Sequence, residues 1–286
     1  MAKRKRRPAK EYGLDIVIPV YGRPDLLKNC LESIEATRGK LDVNIIIVDD
    51  ASPPESQNEL DDIYHNLNSN SRVSRNSQNS GFARTVNNGI KLGNAPLVLV
   101  LNTDIVLRDG CLLALQAEFT DPAVGVTAPK LLFPQDSLDP HRPANKVQHA
   151  GLCFDLHGNV VHAGIGWGKD NPAVMERKEC QSVTGACMMI RRDVLKKILE
   201  TYQKNGDPTQ GPFNEIYGKG TYEDVELCFV ARSLGYKVIY VPGAEAYHYV
   251  GASVEQDGGG YPLSRNEMIF KARCGALMYW DEFEFL

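Results

Sequence analysis

The chain has 286 residues, 43% hydrophobic and 24% charged, with a net charge of −4; this suits one large α/β domain or two halves on a shared core and offers nucleic acid no basic surface. No window approaches about 18 uninterrupted apolar residues and no apolar signal-peptide core follows the basic start, so neither a membrane span nor a secretory leader is expected. Seven cysteines without a C-x-x-C pair read as reduced thiols in a cytoplasmic setting, not as a disulfide framework or a zinc site.

The first ten residues, "MAKRKRRPAK", carry six Lys or Arg. Residues 1–12 read as a basic tail, either a solubilising segment or an electrostatic contact with an anionic membrane face or polyanionic acceptor. "LDIVIPVYG" (14–22) is a β-branched strand. "PDLLKNCLESIEAT" (24–37) has apolar residues at 26, 27, 30, 31 and 34, a helical spacing with Pro24 in the first turn. "VNIIIVDDAS" (43–52) is an almost wholly apolar strand that stops at two aspartates, as a sheet covered on both faces requires. "GFARTVNNGIKLG" (81–93) reads as a short helix, and Leu97–Leu101 as the next buried strand. This alternation predicts a mostly parallel, doubly wound sheet.

The second half has a different texture. "VQHAGLCFDLHGNVVHAGIG" (147–166) is two strand-like runs around Leu-His-Gly-Asn, which predicts a hairpin holding His149 and His162 in its strands. "CQSVTGACMMIRRDVLKKIL" (180–199) is a strand followed by an amphipathic helix from about Arg192, and "TYEDVELCFVARSLGYKVIYVP" (221–242) is an acidic helix start, a helix ending at Gly235 and a strand. The stretches 134–146, 168–179 and 200–215 read as loops.

In doubly wound sheets, ligands sit beyond the carboxyl ends of the strands. All three N-terminal strands place polar residues there: Tyr21 and Arg23, then Asp49 and Asp50, then Asn102 and Asp104. A buried carboxylate such as Asp104 is costly unless something pairs with it. One such carboxylate is explained by a helix cap; three strands ending this way point to a ligand site.

These residues also carry a resemblance. "IVIPVYGRPDLLKNCLESI", "IIIVDDAS", "NSGFARTVNNGI", "LVLVLNTDIVL", "VTGACMMIRRDVL", "YEDVELCFVARSLGYKVIYVP" and "YHYVGAS" occur in this order over about residues 14–253. Together they resemble the family 2 glycosyltransferases of GT-A fold, closest in pattern to the bacterial rhamnosyltransferase-like members. The resemblance implies a Rossmann-like α/β sheet with a smaller antiparallel acceptor-side portion. It divides the chain into a nucleotide-sugar-binding half at 13–110, an acceptor-binding and catalytic half at 111–255, and a C-terminal helical segment at 256–286.

The implied activity moves a sugar from a nucleotide diphosphate, UDP- or dTDP-linked, to a hydroxyl of a glycan, lipid-linked or protein-linked acceptor, with inversion. Mn²⁺ or Mg²⁺ would neutralise the diphosphate, a role suited to hard oxygen ligands. The family's D-x-D motif falls on Asn102-Thr103-Asp104. Asp104 is then the metal ligand, with His248 as its distant partner, and Asn102 and Thr103 contact ribose or phosphate. Pro19, Tyr21, Arg23, Asp50, Gly81 and Arg84 are the other nucleotide-binding positions, Asp50 accepting from the base.

The resemblance makes Asp224 the catalytic base, with Glu223, Gly185, Ala186 and Trp167 on the substrate side. Bland readings stand beside each role. Asp104 could end a turn, Arg84 could be a surface cation, and Trp167 could be a core ring. Thr221-Tyr-Glu-Asp also fits a capping box. His149, His157 and His162 lack compact ligand spacing and read as acceptor-side or structural. A sugar nucleotidyltransferase would show a glycine-rich, basic turn after the first strand, which "IPVYGRPD" lacks. A non-catalytic binding module would have no reason to keep Asp104, Asp224 and His248 together. A monomer or homodimer with a peripheral contact at the inner membrane face fits the tail and the chain end.

Overall fold

Apolar runs at the start of the chain pair first. Leu14–Val20 (β1) lies parallel to Val43–Asp49 (β2), with Ile16, Val17 and Ile18 opposite Ile45, Ile46 and Ile47. Side chains alternate across a strand, so Ile16 and Ile18 enter one hydrophobic cluster while Val17 enters another on the opposite face. The computed structural model describes residues 13–249 and 262–279. The basic tail at 1–12, residues 250–261 and the aromatic end at 280–286 lie outside the described residues.

In chain order the remaining elements are α1 (Pro24–Thr37), α2 (Pro54–His65), β3 (Ser71–Arg75), α3 (Phe82–Leu92), β4 (Leu97–Leu101), β5 (Ile105–Leu107), α4 (Cys111–Ala117), β6 (Val124–Leu132) and β7 (Val147–His149). Then come β8 (Leu152–Phe154), β9 (Val160–His162), β10 (Lys178–Glu179), β11 (Cys187–Arg191), α5 (Arg192–Lys204), α6 (Glu223–Ser233), β12 (Lys237–His248) and α7 (Leu263–Cys274). The main sheet runs β3-β2-β1-β4-β11-β6-β12-β10, with β5 added on β12 and β7 on β6. Pairs β3–β2, β2–β1, β1–β4 and β6–β12 are parallel, and β11 is antiparallel to both β4 and β6. One sheet thus runs through both halves of the chain.

Helices α1 and α4 cover one face through Leu27, Cys30, Ile34, Leu112 and Leu115. Helices α3, α5 and α6 cover the other through Val86, Ile90, Val194, Ile198 and Leu227. Each such side chain contributes about 1.5–3 kcal/mol on full burial. No helix among the described residues is long and apolar enough to cross a membrane.

Several local expectations are corrected. α5 runs on to Lys204, into the stretch read as a loop, because Tyr202 continues the buried stripe of Val194, Leu195 and Ile198. The hairpin is β8–β9 with its turn at 155–159, closed by the Asp155 carboxylate accepting from the His157 and Asn159 amides. β7, and His149 with it, pairs instead with β6 in the main sheet. The last strand does not stop near Pro242. It shifts register between Val241 and Glu245 and continues to His248, which is what brings that histidine to β5.

Candidate active site

β1 and β2 end side by side, and the chain turns there through two left-handed residues, Arg23 (φ 50°) and Ala51 (φ 58°). Such conformations are uncommon for residues other than glycine and concentrate at functional turns. Half-buried Pro19 and Tyr21 line this end of β1. The guanidinium of Arg23 makes a bidentate pair with Asp25 at 2.7–2.9 Å. The two aspartates ending β2 are taken up differently. Asp49 accepts from Ser52 N–H, Tyr64 Oη and Arg75 Nε, a wholly structural set. Asp50 accepts from Asn76 Nδ2 and from the Ser80 and Gly81 amides at 2.8–2.9 Å. A carboxylate has about four lone-pair sites, so one acceptor site of Asp50 remains. Gly81 stands at φ 82°, where a Cβ would also strike the Gly218 carbonyl oxygen. Arg84 is half exposed and paired with Glu215 at 3.0 Å.

At the end of β4 the antiparallel register with β11 continues one step further, the Asn102 N–H donating to the Ala186 carbonyl at 2.9 Å. Beyond it, β5 pairs with β12 so that His248 faces Ile105, and Tyr249 N–H donates to the Asp104 carbonyl. These backbone pairings set the imidazole Nε2 of His248 at 3.4 Å from Asp104 Oδ1. His248 Nδ1 lies 3.3 Å from Gln148 Oε1. The Gln148 carbonyl oxygen orients the ring, so that Nε2 is the atom turned to the carboxylate. Asp104 Oδ1 and Asn102 Oδ1 are buried and find no hydrogen-bond donor among the described residues.

A buried carboxylate oxygen with an imidazole nitrogen 3.4 Å away, and an undonated amide oxygen two residues before it, are ligand types that a divalent cation accepts. Burial works against the charged form of Asp104, but the His248 imidazole, a backbone N–H and the Arg23 charge outweigh it and hold the carboxyl below its usual range. Among the described residues no cluster of three His, Cys, Asp or Glu side chains closes a metal site. A cation here would need further ligands from outside the chain, as Mg²⁺-type sites with substrate phosphates do.

Across the end of β4 lies the acidic pair. Gly185 N–H donates to Asp224 Oδ2 at 2.6 Å, and Val225 N–H to Asp224 Oδ1 at 2.8 Å. Burial raises the Asp224 carboxyl, with the Gly185 and Val225 amides pulling it back. Glu223 is 4% exposed, and its Oε2 has no hydrogen-bond partner among the described residues. Burial and then the neighbouring Asp224 charge push its carboxyl well up. Two carboxyls with separated affinities for protons are the arrangement expected of an acid–base site. The capping-box geometry is absent: no side chain caps α6, and the Thr221 hydroxyl accepts from Asn266 instead.

Gly185 and Ala186 are buried between the acidic pair and Asn102, while Thr103 is buried beside Asp104. Trp167 packs half-buried on the Leu132–Val147–Tyr240 cluster. His149 Nδ1 meets His162 Nδ1 at 3.0 Å, and Thr184 N–H approaches His149 Nε2 at 3.5 Å. Burial and the neighbouring imidazoles hold His149 well below its usual range and His162 down to about 4. Both rings are therefore neutral at pH 7 and brace the loop before Gly185; His157 stays in the hairpin turn. Gln148, which orients His248, is absent from the sequence-derived set. Its only signal was an amide in the otherwise buried run "VQHAG".

The sequence model of glycosyl transferase family 2 matches residues 15–199. The chain is 23% identical over 235 residues to a pre-mycofactocin glycosyltransferase of Mycobacterium tuberculosis, covering 82% of this chain and 42% of that protein. It is 25% identical over 255 residues to the O-antigen biosynthesis protein RfbC of Myxococcus xanthus, covering 85% and 18% respectively. Among solved structures it is similar to GalNAc-T7 crystallised with UDP, GalNAc and Mn²⁺, at a TM-score of 0.62 and 17% identity over 84% of this chain and 44% of that one. That likeness carries the GT-A fold. The chain spans less than half the length of each of these three proteins.

Proposed function

The chain belongs to glycosyl transferase family 2, and from that premise we propose that it transfers a sugar from a UDP- or dTDP-linked donor to a hydroxyl of a glycan, lipid-linked or protein-linked acceptor, with inversion and with Mn²⁺ or Mg²⁺. The observation that carries this reading is the buried Asp104 carboxylate just past β4, 3.4 Å from His248 Nε2 and two residues after the undonated Asn102 amide oxygen, with a buried acidic pair held at Gly185. Asp104 Oδ1 and Glu223 Oε2 are buried without a hydrogen-bond donor among the described residues, a cost that a bound substrate can offset.

Asp50 uses its remaining acceptor site for an imide N–H of the pyrimidine, with Pro19 and Tyr21 against the base. Arg23, Gly81, Arg84, Asn102 and Thr103 border the ribose and phosphates. Asp104 and His248 hold the cation, which when bound supplies positive charge for the departing diphosphate. Inversion requires one base to take the acceptor hydroxyl proton as the oxygen attacks from the face opposite the nucleotide. Asp224 performs that step: its burial moves its proton affinity toward the working pH, and Gly185 N–H aims its Oδ2. Glu223, holding its proton more tightly, offers a donor to the sugar or acceptor. Gly185 and Ala186 leave room for the donor sugar.

The test is a panel of nucleotide sugars assayed with Mn²⁺ or with chelator. Transfer is expected from a pyrimidine donor, lost in Asp224→Asn with nucleotide affinity kept. In Asp104→Ala, the Mn²⁺-dependent part of nucleotide binding is lost. Near-normal transfer by Asp224→Asn removes it as the base. An unaltered Mn²⁺ titration of Asp104→Ala removes Asp104 from the metal site.

A further inference from the structure

Helix α6 begins without a side-chain cap and directly after two left-handed residues, Thr221 (φ 79°) and Tyr222 (φ 73°). Neither is a glycine, and two in succession hold only if the surroundings over-determine them. Gly218 (φ 68°) and Gly220 (φ 146°) precede them, so residues 217–222 form one strained turn whose next two residues are the acidic pair. Something must hold that turn.

On one side the holding is slight. The Phe82 N–H donates to the Lys219 carbonyl, and Gly81 lets the Gly218 carbonyl come close. On the other side Tyr217 Oη donates to the buried Glu226 of α6, and the polar groups of the turn itself are gathered by Asn266 of the C-terminal helix. Asn266 is 0% exposed. Its Nδ2 lies 2.9 Å from the Tyr217 carbonyl oxygen, 2.8 Å from that of Gly220, 3.3 Å from that of Thr221 and 3.1 Å from Thr221 Oγ1. Its Oδ1 accepts from Arg265 Nη1, which also donates to the Ile216 carbonyl. Two amide protons are thus shared among acceptors that all belong to the turn.

The rest of the inner face of α7 seats this amide. Phe270 packs against Tyr222, Phe229 and Phe154. Arg273 clasps the buried carboxylate of Glu226 in α6 with two bonds of 2.8 Å and pairs with Asp207. Positions 266, 270 and 273 recur at helical spacing on one face, so α7 reaches α6 as a unit.

We propose that Asn266 is a positioning residue for the acidic pair: its amide holds the 217–222 turn in the left-handed form that delivers Glu223 and Asp224 to Gly185. The role rests on the reading of Asp224 as the base, but the holding of the turn can be measured without any turnover. A carboxamide is required. A carboxylate of the same shape would face three carbonyl oxygens with no proton to share.

The experiment compares the whole protein with Asn266→Ala, Asn266→Asp and Val194→Ala, the last a fully buried residue of α5 that packs in the cluster of Val86 and Leu227 and not in that of Tyr217 and Tyr222. Both Asn266 variants are expected to lose about 10- to 100-fold in kcat, with donor KM and Mn²⁺-dependent nucleotide affinity within about twofold. Hydrogen exchange at amides 218–225 should rise in both, while β1 and β4 keep their protection. Val194→Ala should lower Tm yet keep kcat within about twofold. The proposal is overturned if Asn266→Ala keeps kcat, or loses no more than Val194→Ala at the same drop in Tm. It is also overturned if exchange at 218–225 is unchanged. If the unaltered protein turns over no donor, the enzymatic reading fails by itself, and the exchange comparison still decides whether Asn266 holds the turn.

Discussion

Adding one methyl at Gly185 perturbs the acidic pair with the least disturbance elsewhere. A Cβ there would lie 2.9 Å from Asp224 Cβ and 3.3 Å from its Oδ2, whereas carbon atoms pack best at about 3.5–4.0 Å. Asp224 must therefore retreat by about half an ångström or more. Its Cβ is fixed by the backbone of α6, and the next carbonyl, that of Ala186, is bound to Asn102 N–H at 2.9 Å. Relief comes by opening the 2.6 Å bond from Gly185 N–H to Asp224 Oδ2. A hydrogen bond to a charged group contributes about 1.5–3 kcal/mol, which translates into a loss of about 10- to 150-fold in kcat. Nucleotide affinity should hold, because nothing around Asp50 or Asp104 is touched. The pH profile supplies a second reading. Burial raises the Asp224 carboxyl and the Gly185 amide pulls it back, so loss of that donor raises it further. A base works deprotonated, so the acid limb of kcat/KM moves to higher pH. The assay is steady-state transfer across pH for Gly185→Ala and the unaltered protein. A kcat within about threefold together with an unmoved acid limb would refute the role given to the Gly185–Asp224 contact.

Gln148→Leu removes the group that fixes the His248 ring and should weaken Mn²⁺-dependent nucleotide binding about 10- to 100-fold, read by titration calorimetry; unchanged Mn²⁺ affinity detaches His248 from the cation. Glu223→Gln should stabilise the fold at pH 8 and not at pH 4. The folded carboxyl is held well above its ordinary 4.5, so the fold favours the protonated form and loses stability as pH climbs from 4.5 toward the folded value. A glutamine does not titrate, and a gain of a few degrees in Tm at pH 8 corresponds to about 1–3 kcal/mol for a buried group with an unpaired oxygen. A Tm difference independent of pH would contradict this. Arg192→Met leaves Asp15, fully buried beneath α3, without its ion pair at 2.6 Å. Breaking a buried pair from one side costs about 3–5 kcal/mol, so a large fall in denaturant midpoint with nucleotide affinity retained is expected.

The elements that pattern reasoning located are those whose faces are strongly unlike. β1, β2 and β4 are buried on both sides, and α1 and α5 carry one apolar stripe, so periodicity alone finds them. β3 is the opposite case. Its "SRVSR" is a polar, charged edge strand, the composition that edges use against unwanted pairing, and it left no apolar signal. The register shift in β12 was equally silent. "VPGAEAYHYV" looks like a strand end followed by a new segment, since Pro242 and Gly243 normally stop a ladder. Here the strand absorbs them between Val241 and Glu245 and resumes beside β5, and only the resumption brings His248 to Asp104.

The site shows more sharply where sequence reading stops. Asp49, Asp50 and Asp104 are indistinguishable as letters: each is an aspartate closing an apolar run. Their surroundings separate them. Asp49 spends its oxygens on Ser52, Tyr64 and Arg75, and so locks β2 to α2 and β3. Asp50 spends three of about four acceptor sites on Asn76, Ser80 and Gly81, which shapes the loop and leaves one acceptor site over. Asp104 Oδ1 meets no hydrogen-bond donor among the described residues and lies 3.4 Å from His248 Nε2, and the Asn102 amide oxygen two residues before it is likewise without a donor. A fold can keep such a cluster only if its stability elsewhere offsets the cost, and a ligand bringing positive charge can repay it. What sets Asp104 apart is thus the donors that are missing around its carboxylate. That property depends on which backbone amides the fold has already committed, and no local stretch of sequence contains it.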